Sequence, residues 1–178
     1  MIEWKRLDYC HLEMVREWRM RPDITHGMYT DPVISPEEQI AWFERIKDDE
    51  TQIYWIVYKD EKPIGLASLV EIDRRHKKCK SGAYIAEDKS FESVIALENG
   101  IFKAAFDILG LNRVEEDVLS NNMRVVKLHE MEGMTKEGIL REAIYKNGEY
   151  YDVYIFSMLK DEWENGKMRF RYDCNIEM

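Results

Sequence analysis

The chain has 178 residues, the size of one domain with a full hydrophobic core that needs neither disulfides nor metal for support. It is 45% hydrophobic and 34% charged, a globular balance that excludes the disordered regime. Its net charge of -9 argues against nucleic acid as a partner, because phosphate-backbone affinity comes from clustered Lys and Arg.

Cys10, Cys79 and Cys174 are odd in number and lack metal-like spacing, so neither a disulfide framework nor a metal site is expected. A reducing, cytoplasmic setting fits. Residues 1–6 lack the apolar core of a signal peptide and no later run has the length of a membrane span, so no membrane partner is expected. The domain should fold alone, and a homodimer is compatible with it.

Residues 2–7 read as a first strand and residues 11–21 as a helix behind Asp8, with Leu12, Val15 and Trp18 on one side until Pro22. Residues 22–32 are predicted to be loop. The next helix has clear start signals: Ser35 as cap, Pro36 at the first position and Glu38 three residues after the cap. Ile40, Trp42, Phe43 and Ile46 give it an apolar stripe, and it should end near Asp48-Asp49. Residues 52–58 and 63–72 are predicted strands of a hairpin, and residues 79–86 a third antiparallel strand. Between the last two lies the basic run Arg74-Arg75-His76-Lys77-Lys78, read as a solvated turn.

Residues 94–109 predict a helix that Gly110 ends. A strand over 112–119 follows, then a helix over 122–132 with Gly133 as its stop. Strands 134–146 and 150–159 close the domain around Asn147-Gly148, a strong hairpin signal. The order is β-α-α-β-β-β-α-β-α-β-β, one α+β domain over residues 1–163. Residues 164–178 read as a tail in which Arg169, Phe170, Arg171 and Tyr172 either dock on the body or on a neighbour, or stay disordered.

The run Leu109-Gly110-Leu111-Asn112-Arg113-Val114-Glu115, then Val118-Leu119-Ser120-Asn121-Asn122, His129, Gly133-Met134 and Glu137-Gly138-Ile139-Leu140-Arg141 resembles the C-terminal half of the GCN5-related N-acetyltransferases. Arg16-Glu17-Trp18-Arg19, Ser35-Pro36-Glu37-Glu38-Gln39 and Pro63-Ile64-Gly65 extend the resemblance over nearly the whole chain. It is strongest to the branch that acetylates ribosomal protein N-termini and nucleotide-linked amino sugars. The implied fold is a mixed, mostly antiparallel central sheet flanked by helices, with two parallel strands that splay apart as a V. Acetyl-CoA is the implied co-substrate, its pantetheine arm pairing with the splayed strand like a missing one.

On this resemblance the splayed strand is Ser81 to Ala86, and the amides of Tyr84, Ile85 and Ala86 face the cofactor. The family's glycine-rich diphosphate motif is absent. Its place is taken by Asp88 to Ile95, where Ser90, Ser93 and Val94 are left to bind phosphate at a helix N-terminus or, for Ser90, to cap the helix. Glu92 stands where a glycine is expected, and a carboxylate repels diphosphate. Asn122 begins the helix that touches the pantetheine in the family, with a plain N-cap as its other reading. His129 stands where the family commonly has the tyrosine that protonates the departing thiolate, and an imidazolium is a well-matched donor near neutral pH.

For the base that takes the amine proton, Glu71 is preferred over Asp73 and His76. Arg19, His26, Trp42 and Tyr151 are expected around the acceptor, Arg suiting bidentate contact with a diphosphate or carboxylate. The implied activity is acetyl transfer from acetyl-CoA to a primary amine by direct attack in a ternary complex. A small-molecule nucleotide sugar is the favoured acceptor, because Trp42-Phe43-Glu44, Tyr150-Tyr151-Asp152-Val153 and Glu162-Trp163 resemble the transferases of pseudaminic acid biosynthesis. A protein N-terminus is the alternative substrate, and a non-catalytic binding module the alternative class.

Overall fold

The computed structural model describes residues 1–166 and 171–178, so Arg169 and Phe170 lie outside the described residues. Local signals set most element boundaries. Helix α3 (Pro36–Ile46) begins with a reciprocal capping box: the Ser35 hydroxyl accepts from the Glu38 amide at 3.2 Å, and the Glu38 carboxylate accepts from the Ser35 amide at 2.8 Å. At the other end of the chain, Asn147 and Gly148 take φ of 52° and 82°, the paired left-handed angles of a tight hairpin turn between β6 (Thr135–Lys146) and β7 (Glu149–Leu159).

Among the described residues, eight strands form one sheet in the order β6-β7-β5-β4-β3-β2-β1-β8. The others are β1 (Ile2–Arg6), β2 (Ile53–Lys59), β3 (Lys62–Asp73), β4 (Lys78–Ile85), β5 (Arg113–Leu119) and β8 (Asn175–Ile176). Among the described residues, only β4–β5 and β1–β8 are parallel pairs. Helices α1 (Leu12–Arg19), α2 (Pro22–Thr25) and α3 bury Leu12, Val15, Trp18, Ile24 and Phe43 against Ile56 and Leu66 on one face. Helices α4 (Phe91–Phe102) and α5 (Met123–Glu132) cover the other, where Trp4, Trp55, Phe102, Phe106 and Phe156 form the larger core. Gly100 is required there, since a Cβ would lie 2.1 Å from the Trp4 ring.

The structure departs from the sequence reading at three places. Residues 22–25 form a short helix rather than loop, because Arg21 is extended and Pro22 occupies the first helical position. The helix predicted over 94–109 starts earlier, at Phe91, and widens into a π-helical segment over Lys103–Ile108 before Gly110 turns at φ 66°. The tail is not separate from the domain. Strand β8 pairs with β1, Cys174 is buried in the core, the Trp55 indole donates to the Glu177 carbonyl at 2.7 Å, and the Arg171 guanidinium stacks 3.9 Å above the Trp163 ring of α6 (Lys160–Glu164).

Candidate active site

Strands β4 and β5 pair for three residues only: Lys78 with Arg113, Cys79 with Val114 and Lys80 with Glu115. Beyond that point β4 stays with β3 and β5 with β7, so the two parallel strands part into a V-shaped slot. Not all the predicted amides face it. Ala86 donates to the Ile64 carbonyl of β3 at 2.7 Å. Antiparallel ladders alternate, and the register Leu66 to Tyr84 therefore gives the Tyr84 amide to β3 as well. Of the three residues named from sequence, Ile85 keeps its amide for the slot, and Ala83 joins it by the same parity.

At the wide end of the slot stands the N-terminus of α4. Ser90 is its cap, accepting from the Ser93 amide at 3.3 Å, while the Val94 amide is spent on the Ser90 carbonyl. The Ser93 hydroxyl donates to Asp88 at 2.7 Å. These expected phosphate ligands are thus committed to one another. A residue the sequence reading passed over fills the gap: Lys59, at the end of β2, places its ammonium 2.9 Å from Asp88, 3.0 Å from Glu92 and 3.3 Å from the Ser93 hydroxyl. Hydrogen bonding to Lys59, then to Ser93, holds the Asp88 carboxyl well below its usual range.

At the closed end, Ser81 is the first β4 residue free of β5, and its hydroxyl donates to Glu116 at 2.5 Å. Glu116 pairs in turn with Nε2 of His129 at 2.9 Å. His129 is only 1% exposed and lies behind this pair, with Nδ1 toward Glu132 at 3.7 Å. Neither ring nitrogen faces the slot, which corrects the expectation that His129 meets the thiolate directly. Burial alone opposes the imidazolium, but the charge and hydrogen bond of Glu116, with Glu132 behind it, hold the His129 pKa well above its usual value.

Arg19 and Trp42, expected around the acceptor, lie across the opposite face of the sheet. A cavity of about 490 Å³ under α1 and α3 is lined by Arg19, Gln39, Trp42, Ser68, Gly82 and Tyr84 among others. Gly82 and Tyr84 share their β4 face with Lys80, whose ammonium lies 3.4 Å from Asp117 of β5. Asp117 therefore points to the acceptor face while Glu116, one residue earlier, points to the core. The Tyr29 hydroxyl, from the loop after α2, donates to Asp117 at 3.4 Å, and burial followed by the Asp117 charge pushes its pKa up to about 12.

Glu71 does not reach this place. It sits at a β-bulge with φ 51°, its side chain 70% exposed, and touches the site only through Lys80 at 3.7 Å. His26 and Tyr151 are also separated from Arg19 and Trp42. They line a second depression with Asn121, Lys146 and Asn147, where the Asn121 amide donates to the His26 carbonyl at 3.1 Å. Asn122 begins α5 without a side-chain cap bond and packs against Gly27, where a Cβ would come within 2.5 Å of its amide nitrogen. That contact ties the loop after α2 to the rim of the slot.

A sheet opened between two parallel strands, with a helix N-terminus at the wide end and an acceptor cavity beside it, defines an acyl-CoA transferase domain. The sequence model of the acetyltransferase (GNAT) domain matches residues 9–155, and the chain belongs to this family. It is 31% identical over 129 residues to acetyltransferase PseH of Campylobacter jejuni, covering 72% of this chain and 80% of that one. It is 25% identical over 163 residues to the spermidine N(1)-acetyltransferase of Vibrio cholerae, covering 90% and 94%. The crystal structure of spermidine N-acetyltransferase from Vibrio cholerae with CoA and spermine superposes with a TM-score of 0.86 at 26% identity, covering 92% of this chain and 98% of that one. The protein is an N-acetyltransferase with acetyl-CoA as co-substrate. Among the described residues no helix is long and apolar enough to cross a membrane.

Proposed function

We propose that the acceptor is the amino group of a nucleotide-linked amino sugar. The observation that carries this is Arg19: it lines the cavity with no carboxylate partner among the described residues, its Nη1 resting on the Met28 sulfur at 3.0 Å. An uncompensated guanidinium attracts a diphosphate and repels a polycation. The buried Tyr84 hydroxyl and Gln39 amide nitrogen make no hydrogen bond and supply two further polar anchors on the same wall. The one carboxylate there, Glu38, is already engaged by the Ser35 amide. Trp42, edge-on to Tyr54 at 5.2 Å, offers an apolar surface for a base or sugar ring.

In this reading the amides of Ala83 and Ile85 pair with the pantetheine arm and Lys59 offsets diphosphate charge at the head of α4. Asp117 receives the incoming ammonium and takes its proton, directly or through water. The amine then attacks the thioester carbonyl, and the thiolate leaves toward Ser81. The exposed Ile139, Leu140, Tyr145 and Tyr150 of the edge hairpin β6–β7 favour a homodimer through that hairpin, which light scattering of the wild type and Leu140→Lys will show or dismiss.

The test is mass spectrometry of products from a panel of UDP-4-amino sugars, spermidine and ribosomal protein N-terminal peptides. Sugar acetylation that becomes several-fold harder to saturate in Arg19→Met is expected. Acetylation of spermidine or peptides alone removes the sugar reading, and absence of acetyl-CoA binding in calorimetry would point to a non-catalytic module. Asp117→Asn should lower kcat and leave the KM for acetyl-CoA near wild type.

A further inference from the structure

The closed end of the slot holds an unbalanced set of buried charges. Glu98 of α4, Glu116 of β5 and Glu132 of α5 surround the single imidazole of His129. No lysine or arginine pairs with any of the four among the described residues. Glu98 is 6% exposed and Glu132 2%, yet Glu98 Oε2, both Glu132 oxygens and His129 Nδ1 make no hydrogen bond. Buried polar atoms are nearly always paired, and orphans grouped in one place mark where an ion or a water can be held.

The geometry supplies the ligands. One donor atom each from Glu98, Glu116 and His129 lies within 4.8 Å of the others. Bonds of about 2.0–2.2 Å to a common centre leave donor atoms up to ~4.4 Å apart, so small side-chain rotations close the set. The orientation of His129 also fits. With Nε2 turned to Glu116 and the centre, Nδ1 faces Glu132 at 3.7 Å, the carboxylate–histidine–metal arrangement in which an outer carboxylate fixes the ring.

We propose that Glu98, Glu116 and His129 bind one divalent transition-metal cation, with Glu132 as the outer partner of His129. One imidazole and two carboxylates suit Zn²⁺ or Mn²⁺ rather than Mg²⁺ or Ca²⁺, which favour all-oxygen sets. The ion ties α4, β5 and α5 together beneath the slot and, through the Ser81–Glu116 contact, fixes where β4 and β5 begin to part. No step of acetyl transfer is routed through it.

The full chain, expressed without a polyhistidine tag and stripped with chelator, is titrated with Zn²⁺ alone by calorimetry. One equivalent binding at micromolar or tighter Kd is expected, with a rise in Tm. Glu132→Gln should weaken binding about 10–100-fold as an outer-shell change, and the isosteric Glu98→Gln should weaken it more. X-ray absorption of the wild-type zinc complex, which needs no variant to fold, should show one imidazole nitrogen and oxygen ligands without sulfur. No binding up to millimolar Zn²⁺, a sulfur shell, or undiminished affinity in both variants overturns the proposal.

Discussion

The two ends of the β4–β5 slot carry similar charge and treat it in opposite ways. At the wide end, Asp88 and Glu92 meet the ammonium of Lys59 at a partly exposed helix N-terminus, where solvent access and the Ser90 and Ser93 hydroxyls share the load. At the closed end, three carboxylates share one imidazole out of reach of water. The same residue types are therefore cheap to rearrange at one end and costly at the other, since the price of an unpaired charge depends on solvent access. The wide end can rearrange at little cost, and the closed end cannot.

The sharpest way to break this contrast is to remove from each end the cation that pairs with its carboxylates. In chelator-treated protein, His129→Leu leaves the Glu116 carboxylate buried without its counter-charge and should cost about 3–5 kcal/mol in urea denaturation, the usual loss when one partner of a buried pair goes. A cost under ~1 kcal/mol would mean that water reaches the cluster. Lys59→Met should instead lower the urea midpoint only slightly while raising the KM for acetyl-CoA several-fold with kcat unchanged. An unaltered KM would separate Lys59 from cofactor binding.

The smallest effect concerns acid. Asp88 ionises in the folded chain below its ordinary value of 3.8, chiefly because Lys59 hydrogen-bonds it. A depressed folded-state pKa gives stability that is present above the unfolded value and lost as pH falls through the folded one. Lys59→Met should therefore move the acid-unfolding midpoint, followed by far-UV circular dichroism, upward from the wild-type position. No movement would show that Ser93 and the Ser90 amide alone hold the carboxylate.

Elements governed by local chemistry were legible in the sequence. The Ser35-Pro36-Glu38 start of α3 and the Asn147-Gly148 turn required nothing beyond their own neighbours. The splay between β4 and β5 came from the family resemblance rather than from any property of strand 79–86. What the sequence concealed depends on pairing between distant segments. Which amides of β4 face the slot is a matter of register parity with β3, and Tyr84 and Ala86 fell on the wrong side of it. Glu98, Glu116 and His129 are ordinary polar residues at unrelated spacings until α4, β5 and α5 pack together, so metal-ligand spacing could not reveal them. Asp117 and Glu116 differ only in which face of β5 they occupy, and Lys59 becomes relevant only because β2 ends beside the head of α4.

Strand β8 has a consequence for how the molecule is made. Trp4 and Trp55 sit in the core beneath the edge of β1, and that edge is covered only when residues 175–176 pair with Glu3 and Trp4. Domains emerging from the ribosome begin folding from their N-terminal side. Here β1 waits for β8, the most C-terminal strand of the sheet, so a nascent chain arrested before Cys174 would expose its indole-rich flank to chaperones.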